Sequence, residues 1–283
     1  MTPSARLTLA ARPENVSLVR EMIAAVTELA AVGGSLDDVK AAVSEAANNV
    51  VLHAYEGEEG TLEVAVRVLQ SALEVSVRDT GVGIPSRAVA EQTASRLMAE
   101  RGAGHGLGIA VMDALADRFE LRPRAPHGVE VMLRFALGAR STLADGDAEI
   151  VTGPLEPVHA DELVLSMAPP QLGSVLLPRL ACAAAARAGF TVDRMSDAQL
   201  LADALAAHVV PALREPSLHC RIAIGTRELT ITVGIFDAGG ARAAIEDSNV
   251  GQLGPLLERL ASATRVLEEP DGERLELSIR DER

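Results

Sequence analysis

The spacing of apolar residues predicts alternating helices and strands through the first half of the chain. Segments 60–69 and 73–79 place an apolar residue at every second position, which is typical of strands with one buried face. Segments 16–32 and 36–55 carry apolar residues at helical spacing. The same criteria predict a strand at 6–10, a helix at 107–117 and two closing strands around 119–121 and 129–133. We predict an α+β two-layer sandwich in which helices cover one face of a mixed sheet.

The hydrophobic pattern of the first half recurs in the second half. The alternation around Leu7 returns at Leu163, and that of 73–77 returns at 229–233. The segments that follow Gly128 and Gly272 also match. Because the matches occur in the same order, they predict that the fold is duplicated in tandem.

The chain of 283 residues is long enough for two domains of ordinary size. The segment 138–153 is rich in small and polar residues and marks a boundary. We therefore predict one domain over residues 1–140 and a second over residues 155–283.

Composition narrows the classes of partner. There are 26 Lys and Arg residues against 40 Asp and Glu residues, a net charge of −14 that repels nucleic acids and anionic membranes. Aromatic residues make up only 2%, which argues against stacking on single-stranded nucleic acid. Two cysteines without metal-ligand spacing and an N-terminus unlike a signal peptide favour a cytoplasmic location. We expect neither nucleic acid nor membrane as a direct partner.

Three polar residues of the second predicted helix are spaced four apart. Glu45, Asn49 and His53 then lie one turn above another on one face. A carboxylate near a γ-phosphate can accept a proton from an attacking hydroxyl, and an amide oxygen can ligate Mg²⁺. For His53, a contact at the edge of the site and a structural role at the helix end both remain open.

A turn rich in glycine follows the second strand of the predicted hairpin. Asp79 ends an apolar run, and Gly81 and Gly83 let the backbone approach a ligand closely. A carboxylate in this position can accept a hydrogen bond from an exocyclic amine such as that of adenine. Asp79 is therefore a candidate for the residue that recognises the base.

A second glycine-rich segment precedes the helix at 107–117. Residues 102–108 match neither the dinucleotide-binding pattern nor the Walker pattern, but amides at a helix N-terminus suit phosphate oxygens. Arg101 could approach the γ-phosphate or a protein partner.

The repeated half lacks these polar residues. With the offsets of the repeat, Glu45 falls on Ala204 and Asn49 falls on His208, while Asp79 falls on Ile235 or, after a short slip, on Asp237. The second domain is predicted to keep the fold without the nucleotide site.

Taken in this order, the three motifs resemble those of the GHKL ATPase superfamily over roughly residues 5–137. Glu45–Asn49 matches its N box, and Asp79–Gly83 and Gly104–Gly108 match its two glycine boxes. The run from Ala42 to Asn49, followed by His53 and Tyr55, is most similar to the RsbW-like anti-sigma factors and serine-protein kinases.

The resemblance implies the Bergerat ATP-binding fold, with ATP and Mg²⁺ as cofactors. It implies that Glu45 is the catalytic base and Asn49 the Mg²⁺ ligand. The nucleotide-binding residues it implies are Asn49, His53, Asp79, Gly81, Gly83, Arg101, Gly104, Gly106, Leu107 and Gly108.

By the same resemblance, the protein would phosphorylate a serine or threonine of an antagonist protein and could sequester a sigma factor. A non-catalytic, ATP-dependent binding switch is the alternative, and an ATPase acting in a phosphorelay is a weaker one. The second domain could replace a second subunit, so that a monomeric pseudo-dimer and a homodimer both remain open.

Overall fold

A computed structural model describes residues 2–30, 36–83, 107–137, 155 and 157–282. The chain divides into two compact units. One comprises Thr8–Val158, and the other comprises Met1–Leu7 together with His159–Arg283.

The first half alternates strands and helices. Its elements are β1 (Ser4–Ala10), α1 (Val16–Ala30), α2 (Leu36–Asn49), a π-helical turn (Val50–Ala54), β2 (Thr61–Val68), β3 (Ala72–Arg78), α3 (Leu107–Leu115), β4 (Arg118–Pro123) and β5 (Val129–Ala136). The strand order is β4-β5-β3-β2-β1.

These elements confirm the helices and strands predicted from the apolar spacing. One difference lies at the end of α2, which was predicted to continue as an α-helix to Tyr55. The α-helix ends at Asn49 and the chain continues as the π turn. π turns occur frequently at functional sites, because they redirect side chains within a helix.

Every strand pair whose register is described is antiparallel, including β2 with β3, β3 with β5 and β4 with β5. For these strands the prediction of a mixed sheet was wrong. After α3 the chain enters the sheet at the edge as β4 and returns in a hairpin as β5, so β5 runs antiparallel to both β4 and β3.

Helix α2 is held on the sheet by a stripe of small apolar residues. The buried positions recur three or four residues apart, and α2 packs against α1, α3, β3 and β5. They are Val39, Ala42, Val43, Ala46 and Ala47. Asp37 and Asp38 lie in the first turn, where their negative charges interact favourably with the positive end of the helix dipole. Glu45 and Asn49 lie beside this stripe and are both half-buried.

The second unit has a similar succession of elements. They are β6 (Glu162–Ala168), α4 (Gly173–Arg187), α5 (Val192–Val209), β7 (Leu218–Gly225), β8 (Glu228–Phe236), α6 (Gly240–Asp247), α7 (Leu256–Leu260), β9 (Ala263–Glu269) and β10 (Gly272–Arg280). The strand order is β6-β7-β8-β10-β9.

Both cysteines are in the second unit and neither forms a disulfide. Burial raises the pKa of the Cys220 thiol to about 12, so this thiol is unreactive at neutral pH. Among the described helices, none combines the length and hydrophobicity needed to cross a membrane.

Candidate nucleotide site

Glu45 of α2 meets the beginning of α3 at Gly108. A β-carbon built on Gly108 would lie only 2.1 Å from Oε1 of Glu45, so the carboxylate lies directly against the glycine backbone. The first turn of a helix presents free N–H groups and a positive dipole end, which favour anions. The structure thus brings a residue of the first motif and one of the third into contact.

Asp79 lies at the end of β3 and is only 4% exposed. Its Oδ1 accepts a hydrogen bond of 2.8 Å from the backbone N–H of Gly81. Burial raises the pKa of the Asp79 carboxyl, and backbone hydrogen bonds of Gly81 and Val129 act in the opposite direction. A buried carboxylate fixed in this way is suited to accept a hydrogen bond from a neutral donor such as an exocyclic amine.

The turn after Asp79 is tied to the end of the π turn. Val82 donates its N–H to the carbonyl oxygen of Ala54 at 2.8 Å. A β-carbon on Gly81 would lie 2.0 Å from that same oxygen, so no larger residue fits there. Gly83 has φ of 75°, a left-handed conformation that favours glycine. The second motif therefore contacts the end of the π turn, directly after the residues of the first motif.

Sequence reasoning missed Gly128 as part of this region. Gly128 has φ of 107°, and a β-carbon there would lie 2.2 Å from the carbonyl oxygen of Asp79. The backbone N–H of Asp79 bonds the carbonyl oxygen of Val129 at 3.1 Å. The available signal in the sequence was a glycine directly before a predicted strand. Its contact, Asp79, lies 49 positions earlier in the chain, so no local pattern links the two residues.

Tyr55 was also missed as part of this region, since sequence reasoning used it only to mark the helix end and to support the family resemblance. Its hydroxyl donates to the carbonyl oxygen of Thr61 at 2.6 Å and accepts the N–H of Thr80 at 3.0 Å. Because it is the only tyrosine of the chain, composition gave no pattern that could have revealed this role.

Of the remaining predicted residues, two are described by the structure and the others are not, or not in full. Asn49 is half-buried at the end of α2, whereas His53 is exposed in the π turn. Arg101, Gly104 and Gly106 lie outside the described residues, and so does the side chain of Leu107.

The described residues fit a nucleotide with a metal ion bound through its phosphates. They hold no group of three or more His, Cys, Asp or Glu side chains that could bind a metal by itself. Mg²⁺ commonly takes only one or two protein oxygens and completes its shell with phosphates and water. Asn49 could supply such an oxygen, and the Glu45 carboxylate lies one turn away, against the backbone of Gly108.

Comparison with known proteins agrees with this geometry. Residues 9–135 match the model of the histidine kinase-like ATPase domain. An anti-sigma F factor of Clostridium acetobutylicum is 32% identical over 132 residues, which are 45% of this chain and 90% of that protein. The chain belongs to the histidine kinase-like ATPase family. An anti-sigma F factor of Geobacillus stearothermophilus is 30% identical over 141 residues, 49% of this chain and 96% of that protein.

The matched residues of the ATPase family run from β1 to β5 and include all three contacts described above. An ATPase domain implies ATP as the ligand of this site. The two anti-sigma F factors align with less than half of this chain.

The positions of the second unit that the sequence offsets align with these residues have other surroundings. Ala204 of α5 is buried, and His208 bonds Asp247 at the end of α6, with 3.0 Å between Nδ1 and Oδ2. Asp237 follows β8 as Asp79 follows β3, but its side chain is 77% exposed. These side chains contact the protein or solvent and do not form a second buried carboxylate site.

Proposed function

We propose that the protein is an ATP-dependent regulatory serine/threonine kinase of the anti-sigma type. In this proposal it transfers the γ-phosphate of ATP to a serine or threonine of an antagonist protein and binds a sigma factor. The similarity to anti-sigma F factors over almost their whole length supports the class of partner.

The observation that carries the proposal is the contact of Glu45 with Gly108. It places a carboxylate beside the first turn of α3, where the amides of a helix N-terminus favour phosphate groups. A carboxylate in this position can accept the proton of an attacking hydroxyl as the bond to phosphorus forms. Asn49, one turn further along α2, would hold Mg²⁺, and Asp79 would bind the adenine amine.

We further propose that the second unit is a copy of the first that has lost the nucleotide site. The two units share the same strand order, in which the last strand of each unit (β5 or β10) lies between the edge strand (β4 or β9) and the hairpin β2–β3 or β7–β8. Gly272, the first residue of β10, has φ of 139°, and a β-carbon there would lie 2.6 Å from the carbonyl oxygen of Phe236, much as Gly128 approaches Asp79.

Glu45→Gln tests the kinase activity. The variant should bind ATP with unchanged affinity, because the charge acts on the attacking hydroxyl, whereas phosphate transfer should fall by about 100-fold or more. Calorimetry measures ATP binding. Transfer is measured on proteins that co-purify with the chain from its native host, with phosphoserine and phosphothreonine identified by mass spectrometry.

Glu21→Gln on the exposed side of α1 is the matched control and should change neither quantity. If Glu45→Gln and the wild type transferred phosphate equally well, Glu45 would not be the base. If neither transferred phosphate but both released a partner on binding ATP, the protein would be a non-catalytic switch. An acid-labile phosphohistidine on the partner would instead indicate a phosphorelay.

A further inference from the structure

Four consecutive backbone N–H groups in the turn after β3 are all held by hydrogen bonds. The N–H of Asp79 bonds the carbonyl oxygen of Val129, and that of Gly81 bonds the Asp79 carboxylate. The N–H of Val82 bonds the carbonyl oxygen of Ala54. The fourth, that of Thr80, bonds the Tyr55 hydroxyl, which is the only side chain from outside the turn in this set.

The Tyr55 hydroxyl is fixed from several directions. It donates to the carbonyl oxygen of Thr61 at the start of β2, which leaves its lone pairs for the N–H of Thr80. The hydroxyl of Thr80 lies 3.4 Å away as a further partner. The ring is held as well, because a β-carbon on Gly60 would lie 2.2 Å from it. A hydroxyl with so little freedom can define the position of the turn.

Tyr55 and Ala54 are adjacent residues at the end of the π turn, which itself continues the helix that carries Glu45 and Asn49. One short segment thus fixes both Thr80 and Val82, the residues on either side of Gly81. The orientation of Asp79 depends on this connection, because its carboxylate bonds the N–H of Gly81.

We infer that Tyr55 is a positioning residue for recognition of the base, acting through Thr80 on Asp79. This inference rests on the proposed nucleotide site and adds a determinant of its specificity. Adenine presents an amine to a carboxylate, whereas guanine presents a carbonyl oxygen at the same ring position. A turn that fixes Asp79 therefore favours ATP over GTP, and a loosened turn discriminates less.

Tyr55→Phe tests the inference, since it keeps the ring and removes the hydroxyl. Loss of one neutral hydrogen bond should weaken ATP binding by about tenfold. Binding of GTP should stay within about twofold, because GTP gains nothing from the oriented carboxylate. Affinities for the magnesium complexes of both nucleotides are measured by calorimetry, and thermal unfolding by circular dichroism monitors the fold.

Thr27→Val is the matched control. It removes a buried hydroxyl that bonds Ile23 at 2.7 Å within α1, and it should leave both nucleotide affinities unchanged. Should Tyr55→Phe fail to fold, Gly60→Ala displaces the same ring and is judged by the same ratio of affinities.

Equal weakening of ATP and GTP by Tyr55→Phe would reduce Tyr55 to a structural role and overturn the inference. Unchanged ATP affinity would overturn it as well. A wild-type protein that bound no ATP would instead refute the proposed function itself, so the two failures are distinguishable.

Discussion

At the scale of single residues, the site combines a buried carboxylate with glycines that no other residue can replace. Asp79 is the clearest case, because its burial raises the pKa of the carboxyl. Its folded-state pKa lies above that of the unfolded chain. The folded protein therefore binds the extra proton between the two values, and stability falls as the pH rises through that window. At neutral pH the buried charge of Asp79 therefore lowers the stability of the ligand-free protein.

Asp79→Asn should consequently separate stability from binding. We expect ATP affinity to fall by about 100-fold, as for loss of a hydrogen bond to a charged group. The unfolding free energy of the ligand-free protein should rise at neutral pH. Its advantage over the wild type should grow as the pH rises above the ordinary pKa of an aspartate, measured by urea denaturation.

Asp117→Asn serves as the control, because this carboxylate is exposed and its hydrogen bond within the described residues is the one from the backbone N–H of Ala136, at 2.6 Å. It should leave ATP affinity unchanged. If Asp79→Asn destabilised the free protein at neutral pH, burial of the charge would not be the dominant effect at this position.

At the scale of elements, one face of β2 and β3 carries charged side chains that are largely buried from solvent. Arg78 donates to Glu63 at 2.9 Å across the two strands, and their side chains are only 1% and 3% exposed. Ser76 bonds Glu130 of β5 at 2.8 Å, and Glu130 also pairs with Arg124. This network anchors the strand end from which Asp79 projects.

Removal of one partner should leave the other buried charge without the counter-charge that it bonds across the strands. Glu63→Ala is expected to lower the unfolding free energy by about 3–5 kcal/mol, whereas the double variant Glu63→Leu/Arg78→Met should recover most of that loss. Urea denaturation measures both. Glu59→Ala removes the exposed ion pair with Arg12 and should cost less than about 1 kcal/mol. If Glu63→Ala lowered the unfolding free energy as little as Glu59→Ala, the buried pair would contribute little to stability.

At the scale of the whole molecule, the question is what the second unit adds. If the second unit replaces a second subunit, the chain should be monomeric at micromolar concentration. Light scattering would then give the mass of one chain, with and without ATP. A mass of two chains would contradict the pseudo-dimer and favour a homodimer, leaving the second unit free for a partner of its own.

Much of the architecture could be predicted because it depends on local pattern. The alternation from Leu62 to Val68 and the helical stripe from Val39 to Ala47 both predict elements that the structure contains. The π turn at Val50–Ala54 could not be predicted, since apolar residues continue there at nearly helical spacing. The antiparallel order was missed because it depends on where the chain re-enters the sheet after α3.

The sequence by itself determined the candidate residues of the site, since Glu45, Asn49 and Asp79 stand in short motifs whose spacing fixes their place on a helix or at a strand end. Only the tertiary structure decided what surrounds them. Gly108 against Glu45, Gly128 against Asp79 and the Tyr55 hydroxyl on Thr80 join residues far apart in the chain. No local spacing encodes such contacts, because they arise when packing of the sheet and helices brings distant backbone segments together.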